Sequence, residues 1–175
     1  MLFRSRNERD DAEGKLDEAL SLFKSNLGDH IMTALLLKDL ADFHLFHGDK
    51  ILGSEGDQKR SIELYTESLE MMERLGMKDH KECILTLTNL GICWLFQGNR
   101  EEAMKLFEES LYIAERELDA DHRGKIYVKT EMAFWWKKMG DMGKAKALKD
   151  EAMQMSDRLQ LPDNQPPNKF LLQKI

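Results

Sequence analysis

The chain has 175 residues, and its 26 lysines and arginines against 32 aspartates and glutamates give a formal net charge of −6. This acidic balance argues against a nucleic-acid-binding protein, because the phosphate backbone attracts a basic surface. Only three prolines interrupt a sequence that contains eleven methionines, and this composition suits an all-helical protein.

Residues 1–28 combine a charged leading segment with the second helix of an incomplete repeat. The helix is predicted from a spacing of glycine, alanine and large apolar residues that recurs later in the chain. Here the spacing is formed by Gly14, Ala19, Phe23 and Leu27. We therefore expect a partial repeat ahead of three full ones.

Repeat one is predicted to span residues 29–79. Its first helix ends near Gly48, and its second helix runs over residues 58–75. Between them, an insertion at residues 50–57 has no counterpart in the other repeats, and its glycines predict a loop. Two interpretations of this loop stay open: a plain connection, which chain entropy tolerates, and a segment that contacts a partner.

Repeat two, predicted for residues 80–121, shows the pattern most clearly, with a turn at Gly98-Asn99 between its helices. The second helix places small and apolar residues three and four positions apart, which is typical of a helix that faces a core. These residues are Ala103, Leu106, Phe107, Ser110, Leu111, Ala114 and Leu118. Asp79 is the predicted N-cap of the first helix, and Glu82 would complete a capping box.

Repeat three is predicted for residues 122–160, because the pattern of repeat two recurs there. Leu90, Gly91, Trp94, Gly98 and Ala103 fall on Met132, Ala133, Trp136, Gly140 and Ala145. Lys149 stands where repeat two has Phe107, and a more polar last helix is what a terminal repeat needs. The tail, residues 161–175, contains all three prolines and a short apolar cluster, Phe170-Leu171-Leu172.

The pattern of Leu90-Gly91, Trp94, Gly98, Ala103 and Phe107 resembles the tetratricopeptide repeat. The common unit of that family has about 34 residues. The unit here is 42 residues long, the distance from Trp94 to Trp136. This long unit resembles the form in kinesin light chain and in the repeat arrays of some signalling receptors. The resemblance implies an all-α fold, a right-handed superhelical solenoid of antiparallel helix pairs. It also implies a scaffold that binds a protein or peptide in its concave groove.

The same resemblance assigns the groove to the first helix of each repeat. The implied positions are Lys38, Asp39, Asp42, Leu45, Phe46, Leu85, Asn89, Ile92, Leu95, Phe96, Tyr127, Glu131, Phe134 and Lys138. In peptide-binding members, the residue before the Leu-Gly pair is often an asparagine that holds the peptide backbone. Only Asn89 keeps it, and Asp39 and Glu131 replace it in the neighbouring repeats. The resemblance therefore argues against a receptor for acidic chaperone tails.

Four of these positions, Leu45, Phe46, Leu95 and Phe96, form a predicted apolar patch. Either the long helices bury it in the core, or it is exposed and binds an amphipathic helix or an apolar peptide. Basic residues of that ligand would face Asp39 and Asp42. In a variant of the second case, the apolar cluster of the tail covers the patch, in the same chain or in a second copy, which would give a homodimer.

Side chains that could carry chemistry are scattered along the chain. The Asp-His pairs at 29–30, 79–80 and 121–122 occur once per repeat, too far apart to share a metal ion, and helix capping explains their aspartates. The sequence contains no nucleophile motif and no glycine-rich phosphate loop. We therefore expect no enzyme activity, no cofactor and no metal, and a protein-interaction scaffold as the function.

Two other functions stay open from the sequence. The chain could be the regulatory or oligomerisation repeat segment of a larger signalling receptor of the STAND or NLR type. A nucleotide-binding domain upstream would favour that function. A single-stranded RNA-binding repeat protein is disfavoured by the net charge of −6.

The location of the protein is predicted from its N-terminus, its apolar runs and its cysteines. The first residues lack an apolar run, and no apolar stretch approaches the ~20 residues of a membrane span, so we expect neither a signal peptide nor a membrane partner. Cys83 and Cys93 lie about 15 Å apart on one predicted helix, too far for a disulfide. Reduced core cysteines favour the cytoplasm.

Overall fold

The computed structural model describes residues 6–47, 50–51 and 55–160, and this part of the chain is built from helices. The helices are α1 (Arg6–Leu27), α2 (Ile31–Leu45), α3 (Glu55–Arg74), α4 (Cys83–Phe96), α5 (Arg100–Glu117), α6 (Arg123–Lys138) and α7 (Met142–Arg158). Two short strands, β1 (Phe46–His47) and β2 (Lys50–Ile51), pair in antiparallel register after α2. The predicted all-α fold is confirmed.

The helices pack as hairpins. Helix α2 packs on α3, α4 on α5, and α6 on α7. Helix α1 packs on α2. The first helices α2, α4 and α6 also contact one another in order, so they form the inner layer of the stack. This layer is the one on which the sequence places the groove.

The core of the stack lies between the two helices of each hairpin and at the seams between hairpins. Tyr65 of α3 and Phe107 of α5 are fully buried there. Gly91 of α4 allows Phe107 to approach closely, because a Cβ atom at Gly91 would lie only 2.8 Å from the Cε1 atom of that ring. The Leu-Gly pair of repeat two is therefore a packing position as well as a sequence marker.

An Asp-His pair precedes each hairpin. Its histidine accepts a backbone hydrogen bond at the start of the hairpin, and its aspartate binds an arginine at the end; we call these three residues a clasp. In each case the histidine Nδ1 accepts a hydrogen bond from the backbone N–H two residues later. The pairs are His30 with Met32 at 3.1 Å, His80 with Glu82 at 3.3 Å and His122 with Gly124 at 3.0 Å. The prediction that the aspartates are helix caps is therefore wrong.

The aspartates instead bind the arginine at the end of the second helix of the same hairpin. The ion pairs are Asp29 with Arg74, Asp79 with Arg116 and Asp121 with Arg158. The arginine lowers the pKa of the carboxyl groups of Asp29 and Asp121, chiefly through these hydrogen bonds. The capping box predicted for Asp79 and Glu82 does not form, because Glu82 is the N-cap residue of α4 and makes no side-chain cap.

The insertion in repeat one differs from the loop that the sequence predicts. Helix α3 begins at Glu55, so the last part of the insertion is helical, and β2 takes up part of its start. Asp57 in this added turn lies 3.2 Å from Nδ1 of the buried His44 on α2. The added helical turn is thus joined to the preceding helix by a polar contact.

Two further sequence features are placed by the structure. Cys83 and Cys93 are buried free thiols, and burial raises the pKa of their side chains to about 11 and about 12. Both are therefore protonated and unreactive at neutral pH. None of the described helices combines the length and the apolar character that a bilayer crossing requires.

Candidate functional site

A chain of hydrogen bonds crosses the inner layer and is centred on Asp42 of α2. The hydroxyl of Tyr65 donates to Asp42 Oδ1 at 2.5 Å, and Nδ2 of Asn89 donates to the same oxygen at 2.9 Å. The hydroxyl of Tyr127 then donates to Asn89 Oδ1 at 2.8 Å. Three of the predicted groove residues, from three successive hairpins, are thus bonded to one another.

Lys38 neutralises the acidic side of this chain. Its Nζ atom lies 2.9 Å from Asp42 Oδ2 and 2.6 Å from Asp39 Oδ1. Burial lowers the pKa of Lys38, but the two carboxylates outweigh burial and the pKa is raised overall. Burial and the charge of Asp42 together raise the pKa of Tyr65 far above its ordinary value, so its hydroxyl stays a donor. Asp42 is therefore fully engaged within the protein.

Glu131 stands apart from this network. It follows Tyr127 by one turn of α6, and within the described residues its carboxylate has neither a hydrogen bond nor an ion pair. Burial raises the pKa of this carboxyl to about 7. Burial also raises the pKa of Tyr127, with the charges of Glu131 and Asp42 adding to the effect. The groove thus holds one acid whose charge is not balanced by any described residue.

A cavity of about 540 Å³ opens beside Asn89, between α4 and α6. Four predicted groove residues line it: Phe46, Leu85, Asn89 and Tyr127. Phe46 and Leu85 are 39% and 43% exposed, so both present apolar surface at the cavity. The cavity therefore offers apolar walls beside the polar chain of the inner layer.

The sequence did not identify the other residues that line the cavity. They lie at the start of α4, at the end of α5 and at the start of α6: Lys81, Glu82, Ile84, Leu118, His122, Arg123 and Gly124. The predicted groove positions are defined by their distance from the Leu-Gly pair of each repeat, and they do not extend to the first residues of the helices. One more helical turn back from Leu85 and Tyr127 would have reached Lys81 and Arg123.

The predicted apolar patch is divided by the structure. Leu45 is only 1% exposed and lies in the core, so it offers no surface to a ligand. The same holds for Ile92, another predicted groove residue, which is 2% exposed. Leu95 is partly buried against the same core. Only Phe46 of the first pair stays exposed, at the mouth of the cavity.

The remaining predicted residues meet at the other end of the inner layer. Phe96 packs edge-to-face on Trp135 with ring centroids 5.5 Å apart, and Phe134 packs on the same ring at 5.2 Å. Lys138 places its Nζ atom 5.5 Å from the centroid of Phe134. The described residues contain no group of three acidic, histidine or cysteine side chains suited to a metal ion.

Comparison with known proteins identifies this architecture. Residues 51–116 match the family model of the tetratricopeptide repeat. Residues 51–116 carry the tetratricopeptide repeat. Together with the fold, this match confirms the resemblance that the sequence shows, and no curated protein matches the chain at a significant level.

Solved structures of other proteins share the fold of this chain. BtubC (BKLC) from P. vanneervenii has a TM-score of 0.73 at 19% identity, with 91% of this chain covered. The chain spans only 61% of BtubC. Two structures of a Podosopora anserina protein, described as kinesin light chain with nearly identical TPR-like repeats, also match. Their TM-scores are 0.69 and 0.64, both at 16% identity, covering 91% and 89% of this chain and 72% and 71% of theirs.

Proposed function

We propose that this protein is a non-catalytic scaffold or adaptor that binds a peptide or helix of another protein in its concave groove. The observation that carries the proposal is the cavity of about 540 Å³ beside Asn89, walled by the exposed Phe46 and Leu85. Tetratricopeptide repeats generally bind protein partners, and this cavity lies on the layer of first helices.

The cavity favours a ligand with an apolar anchor. A large apolar side chain that entered it would be removed from water against Phe46, Leu85 and Leu118, and burial of such a side chain contributes about 1.5–3 kcal/mol. Asn89 borders the cavity, but its amide is engaged within the protein, because it donates to Asp42, accepts from Tyr127 and also hydrogen-bonds the hydroxyl of Tyr65. The apolar walls therefore carry the proposed binding.

The ligand that we propose is an apolar or amphipathic segment that also carries basic residues, and the protein acts in the cytoplasm. The buried, protonated thiols of Cys83 and Cys93 support a reducing compartment. The homodimer predicted through the C-terminal tail depends on Phe170-Leu171-Leu172, which lies outside the described residues. Self-association is therefore one outcome of the test below.

The test compares Leu85→Glu with a matched change, Leu22→Glu. Leu85 lines the cavity, whereas Leu22 is a similarly exposed leucine on α1, away from it. Each variant, with the wild type beside it, captures partners from cell lysate. Circular dichroism checks that both variants stay helical. The captured proteins are then cut into peptides, and the shortest binding segment is titrated by calorimetry.

The proposal expects a segment that binds wild type and Leu22→Glu equally and binds Leu85→Glu at least about tenfold more weakly, a loss of about 1.4 kcal/mol. If the same partners bind all three proteins with equal affinity, the cavity is not the binding site. Capture of the protein's own copy alone would instead favour an oligomerisation segment, as in the signalling-receptor alternative.

A further inference from the structure

We infer that the groove selects ligands with a lysine or arginine side chain that pairs with Glu131. The inference rests on the proposed binding of a peptide in the groove, and it names the side chain that determines specificity. The sequence alone points to Asp39 and Asp42 as the acids that face basic residues of a ligand. The structure assigns that part to Glu131.

The position of Glu131 follows from the geometry of α6. Tyr127 lines the cavity and donates its hydroxyl to Asn89, so its side chain lies on the groove side of the helix. Residues four apart in a helix lie on the same face, with Cβ atoms about 5–6 Å apart. Glu131 is therefore the next side chain along the groove, about one helical turn beyond the cavity wall.

Glu131 differs from the other acids nearby because it has no cation among the described residues. Asp39 and Asp42 share Lys38, and Asp42 also accepts hydrogen bonds from Tyr65 and Asn89. On the opposite side of α6, acids of α5 and α7 bind two lysines of that helix: these acids are Glu115 and Glu151. No described residue plays this part for Glu131.

The predicted groove cation on the same face of α6 is directed elsewhere. Lys138 lies two turns further along and places its Nζ atom over the ring of Phe134. The charges of Glu131 and Asp42 both act on the hydroxyl of Tyr127 and raise its pKa, so two carboxylates lie near this side of the groove. An added cation is attracted there, and an added carboxylate is repelled.

A ligand cation would also offset a cost that the free protein bears. Glu131 is partly buried, and a carboxylate removed from water without a counter-ion is unfavourable. Burial raises the pKa of Glu131 to about 7, so the free protein holds a proton there for part of the time. A guanidinium or ammonium group supplies both the charge and the hydrogen-bond donors that the carboxylate lacks. Binding is then linked to release of a proton at neutral pH.

The two sites set the spacing of the ligand. The anchor in the cavity and the cation at Glu131 are separated by about one helical turn of α6, or about 6 Å. An extended chain spans that distance in about two residues. We therefore expect a large apolar residue with a lysine or arginine about two positions away.

The experiment selects binders from a phage-displayed library of random peptides, each about 12 residues long so that it spans both sites in an extended form. The targets are wild type, Glu131→Gln and the control Glu108→Gln. Glutamine has nearly the shape of glutamate, and the control removes an exposed acid of α5 that is not among the groove positions. Wild type and the control should enrich peptides with an apolar residue near a lysine or arginine, and Glu131→Gln should lose the basic preference.

One selected peptide is then titrated with its key lysine present or replaced by norleucine, which lacks the charge. Wild type should bind the norleucine peptide about tenfold more weakly or worse, and Glu131→Gln should bind both forms within about threefold of each other. Calorimetry in two buffers of different ionisation enthalpy should show proton release with wild type only.

The outcomes separate the two proposals. If selected peptides lose affinity for Leu85→Glu and yet show no preference for lysine or arginine, that result overturns the pairing with Glu131 and leaves binding in the groove in place. Equal lysine dependence in wild type and Glu131→Gln overturns it in the same way. If wild type selects no peptide, or only peptides that Leu85→Glu still binds, both proposals fail.

Discussion

Asn89 links the helices of the inner layer, in addition to bordering the proposed binding cavity. It donates to Asp42 and accepts from Tyr127, so it joins α2, α4 and α6. A variant at Asn89 therefore changes stability and binding at once. For this reason the exposed Leu85 is the better position for a binding test.

We expect Asn89→Ala to lower the free energy of unfolding by about 1–3 kcal/mol, because the Tyr127 hydroxyl loses its acceptor and Asp42 loses a donor. Urea denaturation followed by circular dichroism measures the change. Leu85→Ala is the control, and its exposed side chain should cost less than about 1 kcal/mol. Equal losses in the two variants would show that the hydrogen-bond chain contributes little.

Glu131 gives the free protein a pH dependence of stability with a defined sign. Burial raises the pKa of its carboxyl from 4.5 to about 7, so between these values the native state binds more protons than the unfolded state. The free energy of unfolding contributed by this residue therefore falls as pH rises from about 4.5 to 7, and it is constant above that range.

The prediction compares wild type with Glu131→Gln by urea denaturation at about pH 5 and about pH 8, on either side of the raised pKa. The variant should gain stability relative to wild type between these two values by an amount on the order of 1–3 kcal/mol. A difference between the two proteins that does not change with pH would mean that Glu131 is solvated and carries its ordinary pKa.

The sequence pattern predicts which residues lie along the groove, but it does not predict the hydrogen bonds that they form with one another. Asp42, Asn89 and Tyr127 were expected on one surface because each lies at a fixed offset in its repeat. Whether they contact one another depends on how far α4 and α6 are shifted along their axes relative to α2. A repeat pattern carries no information on that shift. The resemblance also gives Leu45 a groove position and leaves open whether the long helices bury it; the packing of its neighbours does bury it.

At the scale of the helix, the packing of Gly91 against Phe107 sets how closely α4 and α5 approach. We expect Gly91→Ala to destabilise the protein, because the new methyl group meets the buried ring at 2.8 Å. Overpacking of this kind costs about 1–3 kcal/mol, which exceeds the gain of about 1 kcal/mol from helix propensity. Thermal and urea denaturation measure the net loss.

Gly14→Ala is the matched change on α1, where an added Cβ atom meets nothing within 4 Å. It should stabilise the protein by about 0.5–1 kcal/mol through helix propensity alone. If both alanine variants stabilise the protein, Phe107 can shift at little cost and the close approach is not required.

The helix starts explain why the capping prediction failed. Aspartate is a preferred N-cap residue, so sequence reasoning gives it that position in an Asp-His pair. In α2 and α6, however, the histidine is the residue at the cap, with an extended backbone. The aspartate one position earlier is then directed to the arginine of the second helix. Which arginine the aspartate meets depends on the length of the hairpin, and the Asp-His sequence carries no information about that length.

At the scale of the molecule, a buried ion network joins repeat two to repeat three. Lys125 and Lys129 of α6 are only 4% and 7% exposed, and both bind Glu115 of α5 at 3.0 Å. Lys129 also binds Glu151 of α7 at 2.8 Å. Burial raises the pKa of Glu115, but the two lysines outweigh it and the pKa is lowered overall. Two buried cations thus depend on acids of neighbouring helices.

We expect Glu115→Gln to lower the free energy of unfolding by about 1–2 kcal/mol, a value reduced for the half-exposed position of Glu115. Glu108→Gln, an exposed position on the same helix, should change it by less than about 0.5 kcal/mol. Urea denaturation with and without about 1 M salt, which screens exposed charges, measures both. A loss that disappears in salt would mean that the pair is exposed to solvent and not buried.

The overall architecture was accessible from the sequence because the period and the residue pattern repeat. Each of the three full repeats contains a glycine turn or an insertion between two helices, and the structure has one hairpin in each. The start of α3 was less accessible, because Glu55 to Asp57 follow Gly53 and include Gly56, and glycines are typical of a loop. There the contact of Asp57 with the buried His44 joins the added turn to α2, a long-range interaction that local propensity does not report.

The three Asp-His-Arg clasps have a consequence for how such a chain can gain or lose length. Each clasp closes entirely within one hairpin, over 45, 37 and 37 residues from aspartate to arginine. A segment copied from one aspartate to the residue before the next would carry its own cap and its own ion pair. Duplication or deletion at these points leaves every clasp intact. Only the contacts between neighbouring hairpins, such as Asp42 with Asn89 and Lys129 with Glu115, have to form with new partners. The Asp-His pairs are thus natural joints at which a gene could add or remove a whole unit.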